Sequence, residues 1–113
     1  MADRADGIWI IDANAKTLYA NSAMAEILGT ATDEMIGRSS FAYLYPEDEP
    51  AAKRLFEGKK IGENSPFHFR LRRKDGGAIW VDVQGTPMHN ASGLFLGVIG
   101  TFSVSMATEL GQR

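Results

Sequence analysis

The stretch that most constrains the fold is Pro66 to Met106, where apolar and polar residues alternate in three runs separated by turn-forming residues. In the first run Phe67, Phe69 and Leu71 alternate with His68, Arg70 and Arg72, the period-two pattern of a strand with one buried face. Lys74-Asp75-Gly76-Gly77 then reverses the chain, because Asp-Gly supplies the positive φ angles of a short hairpin. The second run, Ala78 to Gly85, sets Ile79, Val81 and Val83 against Trp80, Asp82 and Gln84, and His89-Asn90-Ala91-Ser92-Gly93 makes the next turn. The third run, Leu94 to Val104, is apolar on both sides, with Phe95, Gly97 and Ile99 on one and Leu94, Leu96 and Val98 on the other, so both of its faces need cover.

The preceding residues are read as that cover. Gly7 to Asp12 is a short apolar strand, Ala13 to Lys16 turns it, and Thr17 to Ala20 returns as a second strand. Asn21 sits where a helix N-cap belongs, Met24, Ile27 and Leu28 give the following helix its inner stripe, and Gly29 ends it. Thr32-Asp33-Glu34 opens a second, brief helix, with acids at the positive end of its dipole. Pro46 opens a third, whose inner face is Ala52, Leu55 and Phe56 and whose end is set at Gly58, leaving Lys59 to Ser65 as a polar connection. Two strands, several short helices and three strands make an α+β fold, with the helices on one face of an antiparallel sheet.

Composition narrows the function. A chain of 113 residues, 44% hydrophobic and 23% charged, can bury a core as one domain without a staple. The absence of cysteine excludes thiol nucleophiles, thiolate metal ligands and redox dithiols, and fits a reducing cytoplasm. A formal charge of −2 argues against a nucleic-acid grip, and no apolar run approaches the roughly 20 residues of a membrane span, so no direct membrane contact is expected. Neither His68 nor His89 has a second ligand at a metal-binding spacing, and no metal site is expected. The basic run Arg70, Arg72, Arg73 and Lys74 reads as a solvated strand edge that resists sheet aggregation rather than a phosphate patch. No catalytic motif is present, and the pairs Asp33-Glu34 and Glu47-Asp48 fit helix starts, so no catalytic residue is assigned.

Several short segments, in order and spanning nearly the whole chain, carry a family resemblance. They are Asp6 to Asp12, Tyr19-Ala20-Asn21-Ser22-Ala23, Glu34 to Arg38, Leu44-Tyr45-Pro46-Glu47-Asp48, Arg72 to Gly76, Trp80 to Val83 and Gly97 to Thr101. In these segments the chain resembles a PAS domain. The resemblance implies a five-stranded antiparallel sheet in the order 2-1-5-4-3 with short helices on one face, formed by residues 1–113 as a single domain with 1–6 and 105–113 as flanking segments. It departs from the family at Ser103 to Thr108, where many members carry Asp-Ile-Thr, and in the few residues ahead of Gly7, so that the chain reads as a domain of a longer protein.

What the resemblance implies is a sensory or interaction module, attached to a histidine kinase (as in two-component systems), a cyclic-dinucleotide enzyme or a transcription regulator. Ser40 stands at the position of the cysteine used by flavin-binding light sensors, and Pro46 to Glu57 lacks the axial histidine of haem-binding relatives, so neither cysteinyl-flavin nor haem is expected. A non-covalent flavin stays open, since it needs only groups such as Trp9, Tyr43 and Asn64. With the phase taken from the family match, Trp9, Ile11, Phe67, Phe69, Leu71, Val81, Val83, Phe95, Ile99 and Thr101 face the helices, and with Ser40 and Tyr43 they form the pocket candidates. They suit a small apolar or aromatic ligand; the competing reading is that they fill a plain core and the domain acts by dimerisation alone. Ile8, Ile10, Trp80, Leu94, Leu96 and Val98 then gather on the outer sheet face as a homodimer interface anchored by Trp80, unless flanking residues fold over it.

Overall fold

The computed structural model describes residues 6–105. One antiparallel sheet runs in the order β2-β1-β5-β4-β3, built from β1 (Gly7–Asp12), β2 (Thr17–Ala20), β3 (Phe67–Arg72), β4 (Ala78–His89) and β5 (Phe95–Val104). Between β2 and β3 lie α1 (Ser22–Leu28), α2 (Thr32–Met35), the 3-10 turns Ser40–Tyr43 and Pro46–Asp48, and α3 (Glu49–Lys60). The α+β class and the strand order are those the sequence led us to expect. Apart from Asp6 and Ser105, the flanking segments lie outside the described residues. No helix among the described residues is long and apolar enough to cross a membrane.

Helix ends explain where the cover sits. The Asn21 side-chain oxygen accepts from the amides of Met24 and Ile8, both at 2.9 Å, so one cap starts α1 and ties it to β1. At the other end the amides of Gly29 and Thr30 bond the carbonyls of Glu26 and Ala25, with Gly29 at φ 72°, a Schellman closure. The same closure ends α3, but at Gly62 (φ 93°): the Gly62 amide bonds Lys59 and the Glu63 amide bonds Gly58. The helix therefore runs through Gly58, where the sequence placed its end, and carries Lys59 inward instead of leaving it in a polar connection.

Two strands also differ from expectation. β4 continues four residues past Gly85 to His89, through Pro87. Its pairing with β3 stops at Val83, so Pro87 lies where β4 has a free edge on that side and lacks no ladder partner there. In β5, Gly97 lies opposite Met88 while Phe95 lies opposite His89, which leaves Leu96 as the extra residue of a bulge. Gly97 takes φ 150° and packs so closely that a Cβ would collide with the Ile11 carbonyl. The bulge shifts the side-chain phase by one, and every inward assignment after Phe95 that assumed unbroken alternation is inverted.

The basic run is not a solvated edge. Arg73 donates to the carbonyls of Ile27 (2.8 Å) and Glu26 (3.4 Å) at the C-terminal end of α1, and Lys74 pairs with Glu34 of α2 at 2.9 Å. Arg72 donates to the carbonyls of Leu44 and Ala42, while Arg70 pairs with Asp48 at 2.8 Å and lies over the Tyr45 ring. The turn after β3 thus clips down the helical layer, because orphan carbonyls and helix-start acids both attract cations.

Candidate functional site

A cavity of about 120 Å³ lies between the inner face of the sheet and α3. Its floor is the strands: Trp9 and Ile11 of β1, Phe67, Phe69 and Leu71 of β3, Val83 and Gly85 of β4, and Val98, Gly100 and Phe102 of β5. Its roof is Ser40 and Phe41 from the first 3-10 turn, Leu44, and Ala52, Leu55, Phe56 and Lys59 on one side of α3. Gly85 and Gly100 are direct cross-strand partners. Neither leaves open space: a Cβ on Gly85 would meet Lys59 Cε at 3.2 Å and Val98 Cγ1 at 3.3 Å, and one on Gly100 would meet the Phe102 ring at 2.7 Å, so the glycines let the lysine stem and the aromatic ring come in close to the strands.

The walls are held by aromatic edges. Phe56 meets Phe41 edge-on at 6.1 Å and Phe95 at 5.7 Å, and Phe67 meets Phe69 edge-on at 6.2 Å. Trp9 lies 5.5 Å from both Tyr43 and Phe102, and its indole N–H donates to the buried Thr17 hydroxyl at 2.9 Å. With that N–H spent, Ser40 and Lys59 are the polar side chains left on the wall. Lys59 is 4% exposed, its ammonium lies over the Phe67 ring at 5.6 Å, and among the described residues it has no hydrogen-bond partner. Burial pushes its pKa down, opposed through space by the charge of Glu63. Burial likewise pushes the Tyr43 hydroxyl up.

Of the pocket candidates, Trp9, Ile11, Ser40, Phe67, Phe69, Leu71 and Val83 line the cavity. Tyr43 and Val81 are buried in the core cluster without lining it, and Phe95 packs on Phe56 beside it. Ile99 and Thr101 are corrected: past the bulge they point to the outer face, where Ile99 is 36% exposed and the Thr101 hydroxyl donates to the Gln84 carbonyl. Val98, expected at the outer interface, is corrected in the opposite sense and lines the cavity. Also absent from the pocket candidates were Phe41, Leu44, Lys59, Phe102 and the Gly85–Gly100 pair, while Ala52, Leu55 and Phe56 entered the sequence reading only as the inner face of their helix. The glycines carried a legible signal, since both stand inside strand patterns.

On the outer face, Tyr19, Ile10, Ile99 and Thr86 form one cross-strand row. Leu96, at the bulge, is 44% exposed, and Leu94 lies in the turn before β5. Ile8 is half-buried and pairs with Thr101. Trp80, expected as the anchor, stacks on His68 at 4.9 Å and is separated from Ile99 by the polar rows of Thr101, Gln84, Ser103 and Asp82. Among the described residues no group of three or more His, Asp or Glu could hold a metal ion.

An antiparallel sheet in this order, with a cavity beneath a layer of short helices, is an architecture that comparison with known proteins recognises. The chain matches the PAS fold family over residues 3–104 and belongs to the PAS family of sensory domains. It is 32% identical over 95 residues to the C4-dicarboxylate transport sensor protein DctS of Rhodobacter capsulatus, covering 80% of this chain and 14% of that protein, so it spans only a small part of that relative. In structure it is similar to a PAS domain from Colwellia psychrerythraea (TM-score 0.79, 18% identity, 88% of this chain and 86% of that one). It is equally similar to a light-oxygen-voltage domain described with a flavin analogue (TM-score 0.79, 21% identity, 94% and 82%). The residues here do not fit a flavin. An apolar cavity of about 150 Å³ holds benzene, and a space of about 120 Å³ is too small for a three-ring isoalloxazine. Trp9 and Tyr43 are packed against each other, and the carbonyl oxygens of Asn64 accept from Gln84.

Proposed function

We propose that this domain is a ligand-responsive sensory module, in which a small apolar or aromatic molecule occupies the cavity under α3 and biases the state of an attached output region. The observation that supports it is the cavity itself, an apolar space between sheet and helix in a core otherwise filled. A ligand there touches α3 and the central strand β5 together, and it shifts an equilibrium only by its difference in affinity for the two states. A histidine kinase of a two-component system, a cyclic-dinucleotide enzyme or a transcription regulator would be the output, in a cytoplasmic protein. The likeness to a sensor protein favours the first. The reading gives the domain no chemistry, no nucleic acid and no membrane contact of its own. The test is thermal melting against fractions of a cellular small-molecule extract. An active fraction should raise the melting temperature of the wild type and leave Ala52→Phe, whose ring fills the cavity, unmoved. Equal stabilisation of both would place the ligand elsewhere and contradict the reading.

A second reading is homodimerisation through the outer sheet face, favoured by the exposure of Tyr19 (48%), Leu96 (44%) and Ile99 (36%). The phase shift at the bulge moves its centre from Trp80 to Ile10 and Ile99. Sedimentation at micromolar concentration should give a dimer for the wild type and a monomer for Leu96→Glu; two monomers would end the idea.

A further inference from the structure

Lys59 carries the one buried side-chain polar atom at the cavity that has no hydrogen-bond partner among the described residues. Its nitrogen is sealed from solvent without a hydrogen-bond partner among the described residues, and only the Phe67 ring faces it at cation–π distance. Chains avoid burying a lone charge, because the water it loses is not replaced. Here the fold makes room for it: a Cβ on Gly85 would stand 3.2 Å from Lys59 Cε and 3.6 Å from Nζ, so the lysine stem occupies the place of the missing side chain.

We propose that the cavity takes a monocarboxylate with an apolar body of about one ring, its carboxylate paired with Lys59 Nζ and its body against Phe56, Phe67, Val83 and Val98. This rests on the ligand-binding reading above and names its ligand class. The carboxylate supplies what the site lacks, a countercharge in contact with the ammonium and acceptors for it, since Glu63 acts on Lys59 only through space. A neutral carbonyl would leave the charge uncompensated. A phosphate dianion would need several donors, and the wall offers one ammonium and the Ser40 hydroxyl. The volume caps the body at one ring, since about 120 Å³ is less than the roughly 150 Å³ that holds benzene. The lowered pKa of Lys59 agrees with a site whose countercharge arrives with the ligand.

The test is calorimetric titration of the 113-residue chain and its Lys59→Met variant with benzoate and with toluene. Methionine keeps the apolar stem and removes the charge, and a two-dimensional amide spectrum confirms the fold. Gly85→Ala, whose Cβ would press on the Lys59 stem at Cε and so displace the ammonium, serves as a second variant. Benzoate should bind the wild type at least tenfold more tightly than toluene, Lys59→Met should lose that preference while keeping its toluene affinity, and Gly85→Ala should weaken benzoate more than toluene. Toluene bound as tightly as benzoate by the wild type, or benzoate bound equally by wild type and Lys59→Met, overturns the carboxylate and leaves the cavity reading standing. Binding of neither probe overturns both.

Discussion

The inner face of one sheet supports two different interiors. Beneath α1 and α2, Met24, Leu28 and Met35 are completely buried, joined by Val81 from the sheet. Beneath α3 the same sheet leaves a cavity and a sealed ammonium. The contrast lies in what each helix meets. The layer at the first end is short, closed at Gly29 and clipped by Arg73 and Lys74, so its side chains are pressed onto the strands. α3 instead lowers a charged stem, Lys59, onto Gly85, where a Cβ would stand 3.2 Å from Cε, and the Phe102 ring takes the place beside the paired Gly100. Close packing is the default of protein interiors, and the hollow lies where an ammonium without a hydrogen-bond partner among the described residues shares the wall with aromatic rings that meet edge-on.

The largest test of this contrast is a charge placed on each face. Val81→Arg buries an unpaired guanidinium in the filled core, costing several kcal/mol of a total of about 5 to 15, and should unfold the domain. Ile99→Arg, on the face exposed by the bulge, should melt within a few degrees of wild type. Equal loss in both would invert the faces. Next in size are truncations under each helix. Leu28→Ala should cost about 2–5 kcal/mol in urea unfolding. Leu55→Ala, at the cavity wall where packing atoms are already missing, should cost roughly half of that or less.

The parts legible in the sequence were those governed by local chemistry. Asn21 and Gly29 marked α1 because capping and left-handed closure need those residue types, and alternation in Phe67 to Leu71 gave the inner face of β3. Failures came where two local signals competed. Gly58 and Gly62 both look like helix ends, and only the tertiary placement of Lys59 decides between them. Leu94 to Val104 is apolar on both sides, so its phase could not be read from hydropathy, and the bulge at Leu96 changed it. Seven of the twelve pocket candidates line the cavity, and the two that face away, Ile99 and Thr101, both follow the bulge. Arg72 and Arg73 were misread because a carbonyl acceptor leaves no mark in sequence, and Arg70 because its partner Asp48 lies 22 residues away on another element.

A smaller effect is expected at Lys59. Removing a lone buried charge in Lys59→Met should stabilise the ligand-free domain by about 1 kcal/mol or more at neutral pH. The sign follows from the lowered folded pKa: between that value and the ordinary 10.5, the unfolded chain holds the extra proton, so raising the pH stabilises the wild type. The advantage of the methionine variant should therefore be full at neutral pH and shrink as pH climbs towards 10.5. A gap that stays constant to that pH would show Lys59 to be an ordinary solvated lysine. The smallest effect belongs to Glu34, exposed and held below its ordinary 4.5 by the Thr30 hydroxyl and then Lys74. Glu34→Gln should lower stability slightly above pH 4.5, with the difference closing as pH falls through the folded value. A difference that grew on acidification would have the wrong sign.

The most direct test of a domain hollow at one end and solid at the other is methyl NMR of the ligand-free chain under xenon pressure, since xenon enters dry apolar cavities. The expected result is shifts of the methyls of Leu55, Val83 and Val98 that saturate with pressure, while those of Leu28, Met35 and Val81 stay in place. Equal shifts at both ends, or none under α3, would contradict it.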